Sequence, residues 1–214
     1  HGLEVGAFYQ PESPDHDEPG ETMPASYVSR SVESQTQTGL AGVLGGQRTG
    51  TLTKTDSTWY AEAKANIGYG WLTLSNNAGA RSTLLLEYGD VTDLNADFSN
   101  QEATGGYFAL EDWQVDHHTV QATLSLTSGA TTQSKTISLA AASYDNPLDY
   151  QIAFSEFPSI DFSDVDVIAL ELVCTADSQD WGLRGFKAVP EPATLALLGL
   201  GGMILLARRR HSRA

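Results

Sequence analysis

Apolar and polar residues alternate along much of the chain, and the alternation is most regular in residues 120–127. Val, Ala and Leu occupy every second position there, with Thr, Gln and Ser between them. A period of two places successive side chains on opposite faces of a strand, so this segment predicts a β-strand with one face in the core. The dipeptide Ser128-Gly129 and a second strand-like segment, 131–139, follow it. Together they predict a β-hairpin.

A second kind of strand is predicted at residues 167–174. Four side chains, Ile168, Leu170, Leu172 and Cys174, share one face of this segment, and Val167 and Ala169 lie on the other. Apolar residues on both faces are typical of a central, well-covered strand. Cys174 is therefore predicted to pack as a small apolar side chain rather than to act as a nucleophile.

Shorter strand patterns recur about every ten residues, at 1–9, 27–32, 47–55, 59–65, 70–75, 83–88 and 181–188. Between Leu3 and Ala188, no segment of more than ten residues keeps the apolar period of a helix. We therefore predict an all-β domain, an antiparallel β-sandwich that is jelly-roll-like. The glycine-rich residues 39–46 lack the Gly-Lys-Ser/Thr ending of a phosphate-binding loop, and turns are predicted there.

Two polar segments interrupt the strand pattern. Residues 10–25 contain four prolines and five acidic residues, which neither a helix nor a sheet accepts, so they predict an acidic, proline-rich loop. Residues 90–106 hold several Asp and Asn side chains. Their oxygen atoms leave a structural calcium site open, although the spacing differs from that of an EF-hand loop. No other cofactor or metal is predicted.

The end of the chain has a different pattern. Residues 193–207 carry no charge and only one polar side chain, Thr194, and Arg208, Arg209 and Arg210 follow. As a helix, this segment would span about 22 Å, which is short of the roughly 30 Å of a bilayer core. We predict a single short transmembrane helix with the arginines on the cytoplasmic side, which places residues 1–188 outside the inner membrane. The alternative is a buried C-terminal core helix.

The residues before this apolar segment are Val189 and then Pro190, Glu191 and Pro192. A Pro-Glu-Pro motif, a short apolar segment and an arginine cluster, in this order, resemble the PEP-CTERM sorting tail of exported bacterial proteins. The resemblance implies recognition by an exosortase, a membrane-embedded cysteine transpeptidase, and cleavage near the Pro-Glu-Pro motif. It also implies that the mature protein reaches the cell surface or the extracellular polysaccharide matrix.

The resemblance divides the chain into an exported domain, 1–188, and a sorting tail, 189–214. Proteins with this tail usually begin with a secretory leader. No charged and apolar leader precedes His1, so we expect the leader to have been removed.

Charge and cysteine content narrow the functional classes. Residues 1–188 hold 26 acidic and eight basic residues, a formal net charge of −18. Such a field repels nucleic acid and anionic lipid, and we predict no nucleic-acid partner. The single cysteine excludes an intramolecular disulfide, so the fold depends on its core.

The sequence contains no Gly-x-Ser-x-Gly, no His-Glu-x-x-His and no cysteine paired with a nearby His and Asn pattern. Asp116-His117-His118 is predicted to be a turn beside Trp113, because adjacent strand residues point to opposite faces and rarely share a metal. An N-terminal His1 could chelate copper, as in lytic polysaccharide monooxygenases, but the aromatic and second-histidine pattern is missing. Paired carboxylates for glycoside hydrolysis stay open, because acidic residues are abundant. We predict that the protein is not an enzyme.

Two functions remain for the exported domain. The preferred one is a structural or interaction protein of the surface or matrix, associated with exopolysaccharide. The alternative is a carbohydrate-binding module, whose candidate sugar-stacking rings are Trp59, Trp71, Trp113 and Trp181. Most tryptophans in a sandwich fill the core or pair across strands. Two or more coplanar, solvent-facing aromatic rings on one sheet or loop rim would favour sugar binding.

Overall fold

The computed structural model describes residues 3–5, 32–40, 43–55, 63–68, 70–77, 79–89 and 93–189. These residues form two sheets that share one apolar core, and every strand pairing is antiparallel. The prediction of an all-β antiparallel sandwich is confirmed.

The strands of both sheets are numbered in chain order. The first sheet contains, in spatial order, β1 (Leu3–Val5), β4 (Ala63–Gly68), β5 (Trp71–Asn76), β12 (Trp181–Leu183), β7 (Tyr107–Val115) and β10 (Leu148–Ala153), and β13 (Gly185–Val189) also pairs with β7. The second sheet contains β2 (Val32–Gln37), β3 (Arg48–Lys54), β6 (Ser82–Tyr88), β11 (Val167–Cys174), β8 (Val120–Ser128) and β9 (Thr131–Leu139). A short helix, α1 (Ser99–Ala103), precedes β7, and two 3₁₀ turns lie at Leu44–Gly46 and Phe154–Glu156.

The strongest sequence patterns are confirmed in the second sheet. β8 and β9 form the predicted hairpin, which turns at Gly129 with a positive φ of 56°. On the exposed face of this hairpin, the hydroxyl groups of Thr123 and Thr136 form a hydrogen bond of 2.9 Å. β11 is central, paired with β6 on one side and β8 on the other. Cys174 ends it as a buried free thiol, as predicted.

β7 carries a β-bulge, and the alternation rule predicts no strand there. Leu148 of β10 lies opposite Trp113, whereas Tyr150 lies opposite Leu110, so two residues of β7 face one residue of β10. One of the two is Asp112, with a φ of 51°. The extra residue keeps both Leu110 and Trp113 in the core. The bulge breaks the period of two in β7, so the sequence pattern does not predict this strand. Its partner β10 is not predicted either.

The predicted strand 181–188 is two strands in the structure. β12 and β13 follow one register along β7, with Arg184 between them. β12 lies between β5 and β7. β13 pairs with β7 alone among the described strands, so it passes beyond the end of the hairpin formed by β4 and β5. Among the described strands, none pairs with β13 on its side away from β7.

Two other predicted segments differ at their bounds. The described part of 27–32 is its last residue, from which β2 continues to Gln37. The described part of 59–65 begins at Ala63, and that strand continues to Gly68.

No helix within the described ranges is long and apolar enough to cross a membrane. The predicted transmembrane segment 193–207, with Arg208, Arg209 and Arg210, lies outside those ranges. The predicted acidic, proline-rich loop at residues 10–25 and His1 also lie outside the described ranges.

Candidate functional site

The described tryptophans divide into buried and surface residues. Trp113 is 0% exposed and Trp181 is 4% exposed, and their ring centroids lie 5.4 Å apart. Trp113 Nε1 donates a hydrogen bond of 3.0 Å to the carbonyl oxygen of Ala140. Burial therefore argues against both rings as sugar-stacking candidates, although Trp181 contributes to the lining of the groove described below. Trp59 lies outside the described residues.

Trp71 lies on the outer face of the first sheet. Its strand, β5, alternates, with Leu72, Leu74 and Asn76 buried and Trp71, Thr73 and Ser75 directed outward. Gly182 of β12 lies beside it on that outer face. A Cβ atom on Gly182 would be 3.5 Å from both Cε3 and Cζ3 of Trp71, so the indole rests on the glycine. The small neighbour lets the ring lie close to the sheet while part of it stays accessible.

A groove of about 670 Å³ begins at Trp71 and crosses the outer face of β5, β12 and β7. We call it the Trp71 groove; its lining includes Thr73, Gln114 and Gly182. Tyr144, in the connection between β9 and β10, also lines it and is 79% exposed. The groove thus combines the partly buried Trp71 and the exposed Tyr144 with neutral polar groups. Such a lining is typical of sites for small polar ligands with apolar faces.

Two carboxylates complete the groove, Asp116 and Asp180. Asp180 Oδ1 accepts a hydrogen bond of 2.8 Å from the backbone N–H of Asn76. Asp116 Oδ1 accepts one of 2.7 Å from the N–H of His117 and one of 3.3 Å from that of Asp180. The backbone therefore orients both carboxylates. Their oxygen atoms can accept hydrogen bonds from ligand hydroxyl groups.

A buried polar network supports the loop 175–180 beneath the groove. Asn76 Nδ2 donates to the carbonyl oxygen of Gln179 at 2.9 Å and approaches the Cys174 sulfur at 3.3 Å. Asn76 Oδ1 accepts from the Ser82 hydroxyl at 2.8 Å. Burial raises the pKa of the Cys174 thiol. The thiol stays protonated at neutral pH and acts as a packing group, not as a nucleophile.

Gln179 extends this network and is fully buried. Its Nε2 donates to the carbonyl oxygens of His117 at 3.0 Å and Thr119 at 3.1 Å. Its Oε1 accepts from the backbone N–H of Thr175 at 3.1 Å. One side chain thus joins the loop before β8 to the loop before β12. It holds both carboxylate-bearing segments of the groove in place.

The remaining predicted candidates are polar. His117 Nδ1 lies 3.0 Å from Oδ2 of Asp116, a carboxylate that lines the Trp71 groove. His117 and His118 follow β7 outside any strand, with ring centroids 5.0 Å apart. In the polar segment 90–106, Asp97 Oδ1 accepts hydrogen bonds from the N–H and hydroxyl of Ser99, and these lower the pKa of the carboxyl group. Across the described parts of the chain, no three His, Cys, Asp or Glu side chains are grouped so as to hold a metal ion.

Sequence reasoning missed Tyr144. A signal for it existed, because Tyr144 is followed by Asp145-Asn146-Pro147, a turn-forming sequence that keeps its neighbours at the surface. What could not be read from the sequence is its approach to the groove that begins at Trp71.

Comparison with protein families decides the nature of the C-terminal tail. Residues 188–210 match the family model of the PEP-CTERM protein-sorting motif. The chain carries a PEP-CTERM sorting motif. The match includes Pro190, Glu191 and Pro192, as the resemblance implied, the whole apolar segment 193–207 and the three arginines that follow it. No family is recognised for the rest of the chain.

The PEP-CTERM motif begins within the last strand of the sandwich. Its first matched residue is Ala188, and β13 ends at Val189, which pairs with Tyr107 of β7. Pro190 follows directly. No linker therefore separates β13 from the Pro-Glu-Pro sequence, whose residues lie outside the described ranges.

Comparison with curated proteins gave no match. Among solved structures, an agarase is similar at a TM-score of 0.44 and 14% identity, over 66% of this chain and 22% of the agarase. A family 11 carbohydrate-binding module of a cellulosomal cellulase from Clostridium thermocellum is similar at 0.37 and 10%, over 78% of this chain and 91% of the module. A protein solved in complex with β-1,4-galactotriose is similar at 0.31 and 12%, over 65% and 82%. At these TM-scores the likenesses assign no function.

Proposed function

We propose that this chain is an exported, non-catalytic protein of the cell surface or extracellular matrix that binds polysaccharide in the Trp71 groove. The observation that carries the proposal is a groove that contains two aromatic side chains, the partly buried Trp71 and the exposed Tyr144. This arrangement favours sugar binding over a purely structural role. Matrix association is then a consequence of the binding itself.

The groove has the chemistry that a sugar requires. The axial C–H groups of a pyranose form an apolar face, which an indole or phenol ring can cover, and hydroxyl groups project around its edge. Gln114 offers both donors and an acceptor to such hydroxyls, and Asp116 and Asp180 offer further acceptors. These groups are side chains on paired strands and anchored loops, so the site is formed before the ligand arrives. The proposed binding uses no cofactor.

The test is affinity electrophoresis and titration calorimetry on the exported domain with a panel of β-glucan, galactan, xylan, cellulose and polygalacturonate. Replacing Trp71 with Ala should weaken binding to the preferred polysaccharide at least tenfold, equivalent to about 1.4 kcal/mol. Val32, which is 54% exposed on the other sheet, provides the control Val32→Ala, which should bind normally. A domain that binds nothing in the panel, or binds equally without Trp71, refutes the proposal and favours the structural role.

The absence of catalysis is part of the same proposal. Asp116 and Asp180 accept hydrogen bonds from backbone N–H groups, so both carboxylates have a structural role. We expect no new reducing ends when the domain is incubated with the bound polysaccharide. Cleavage that disappears in Asp180→Asn would instead identify a glycoside hydrolase.

The sorting step is proposed from the motif. We expect an exosortase to cleave near Pro190-Glu191-Pro192 after Arg208, Arg209 and Arg210 have held the tail at the inner membrane. Intact mass measurement of the surface fraction should show loss of about 25 residues, because cleavage at the motif removes the apolar segment and the basic C-terminus. Replacing the three motif residues with Ala should leave the full-length chain in the inner membrane. A surface form that still ends at Ala214 contradicts processing.

A further inference from the structure

A second cavity adjoins the Trp71 groove, and the charged side chains that line it are basic rather than acidic. It has a volume of about 740 Å³ and lies where β13 passes beyond the hairpin of β4 and β5. Trp71 lines both spaces. The indole therefore forms a shared wall, and a ligand residue that stacks on it can direct its substituents into either space.

The wall of this cavity is basic although the protein is acidic. Among the described residues, it contains Arg48, Arg184 and Lys187 and no Asp or Glu. The full chain has 12 basic and 27 acidic residues, so acidic side chains would be expected to outnumber basic ones in an average wall. In the Trp71 groove the order is reversed, since Asp116 and Asp180 line it and no basic residue does so within the described part of the chain. Trp71 thus separates an acidic space from a basic one.

Arg48 is the cation placed deepest. Its Nη2 donates a hydrogen bond of 3.0 Å to Gln37 Oε1, and it also contacts the Tyr88 hydroxyl. Burial raises the pKa of Tyr88, so the phenol stays neutral and does not balance the guanidinium charge. Nε of Arg48 is buried and has no hydrogen-bond partner among the described residues. A buried charged donor without a partner is unfavourable. An anion in the cavity would stabilise the guanidinium, whose charge no acidic side chain of the described wall balances.

The other two cations lie on β13 and beside it. Arg184 pairs with Asp112 at 3.2 Å, and Lys187 pairs with Glu111 at 2.7 Å. All four side chains are at least one-third exposed, and exposed ion pairs of this kind hold their partners weakly. Both cations can therefore turn toward an anion in the cavity. Beyond about 8 Å, physiological salt screens the repulsion from the other acidic residues of the domain.

We propose that the cavity receives the anionic group of an acidic sugar, a carboxylate or a sulfate ester, while the ring of that sugar stacks on Trp71. The inference rests on the proposed sugar binding and specifies its ligand as an acidic polysaccharide. Arg48 contacts the anion directly, and Lys187 and Arg184 raise the local positive potential. The hydroxyl groups of the neighbouring sugar face Asp116 and Asp180.

The experiment compares ligands that differ only in charge. Titration calorimetry measures binding of polygalacturonate, of the same polymer after reduction of its carboxyl groups, and of a sulfated galactan against unsulfated galactan. The domain should bind at least one anionic polymer tenfold or more tightly than its neutral counterpart, and the two pairs distinguish carboxylate from sulfate. Raising the salt concentration should reduce this preference.

Single substitutions test which residues cause the preference for the anionic polymer. Arg48→Gln should remove the preference for the anionic polymer, and Lys187→Gln, at a largely exposed position, should reduce it without affecting folding. Arg81→Gln makes the same charge change at a residue outside both cavities and should keep the preference. Equal binding of charged and neutral polymers refutes the anionic site while leaving the proposed function intact. Loss of all binding in Trp71→Ala, together with a clear preference for the anionic polymer in the wild type, supports both.

Discussion

The substitution Gln179→Leu should destabilise the domain more than the same substitution at an exposed glutamine. Leucine has a similar volume but cannot form hydrogen bonds, so the change removes the three contacts that the Gln179 side chain makes. The carbonyl oxygen of Thr119 keeps a second donor, the hydroxyl of Thr175. The backbone N–H of Thr175 and the carbonyl oxygen of His117 lose the partners that Gln179 supplied.

The magnitude is set by those two groups. Each buried backbone group without a partner costs about 1–3 kcal/mol, so the free energy of unfolding should fall by about 2–6 kcal/mol. The contacts are only partly buried, and water that reaches them would move the result toward the lower figure. For a domain of this size, about 2–4 °C per kcal/mol corresponds to a decrease in Tm of roughly 4–24 °C.

Urea unfolding followed by tryptophan fluorescence measures the change, because Trp113 and Trp181 lie in the core. The slope of the unfolding free energy against urea concentration should be the same in both proteins. The shift in the midpoint then reports the change in stability alone. Gln121→Leu provides the control, since Gln121 is exposed on β8 and the same substitution there should stay within about 0.5 kcal/mol of wild type. If Gln179→Leu also stays within that range, the network does not hold the loop 175–180, and the groove depends on other contacts.

Three further predictions concern single residues. Gly89→Ala should lower stability by at least about 2 kcal/mol more than Gly39→Ala, because the new Cβ would lie 2.1 Å from a backbone carbonyl, whereas at Gly39 only the positive φ opposes the change; equal unfolding midpoints would contradict this. Cys174 should resist a bulky maleimide in the native state and react once urea unfolds the domain; rapid native labelling would place it at the surface. Hydrogen bonds from Ser163 hold the pKa of Asp161 below its ordinary 3.8, so its contribution to stability is present above that pH and lost as pH falls below it. Thermal melting at decreasing pH should show this loss, smaller in Asp161→Asn, and an identical pH profile for both proteins would refute it.

Several features are determined by local sequence alone. The hairpin of β8 and β9 and the central strand β11 are predictable, because each strand has an uninterrupted period of two and one apolar face. The PEP-CTERM motif is predictable for a different reason. It is a linear signal, defined by residue order and spacing in 23 consecutive positions, and needs no folded neighbour to be recognised.

The strands of the site depend on partners that are distant in sequence. β7 has no regular period, because the bulge at Asp112 shifts the alternation between Leu110 and Trp113. Its strand identity comes from three neighbours, β10, β12 and β13, that each pair with it. The division of 181–188 at Arg184 likewise depends on where β5 begins, at Trp71.

The chemistry of the groove was decided only by the tertiary structure. Alternation along β5 and β12 shows that neighbouring side chains point to opposite faces, but not which face meets the second sheet. That packing buries Trp181 and leaves Trp71 on the outer surface beside Gly182. It also brings Tyr144 to the same groove across 73 positions of sequence, and places Arg48 of the other sheet on the far side of Trp71. A single sequence specifies which residues are apolar, aromatic or charged, whereas their grouping into a site requires the distances that folding creates.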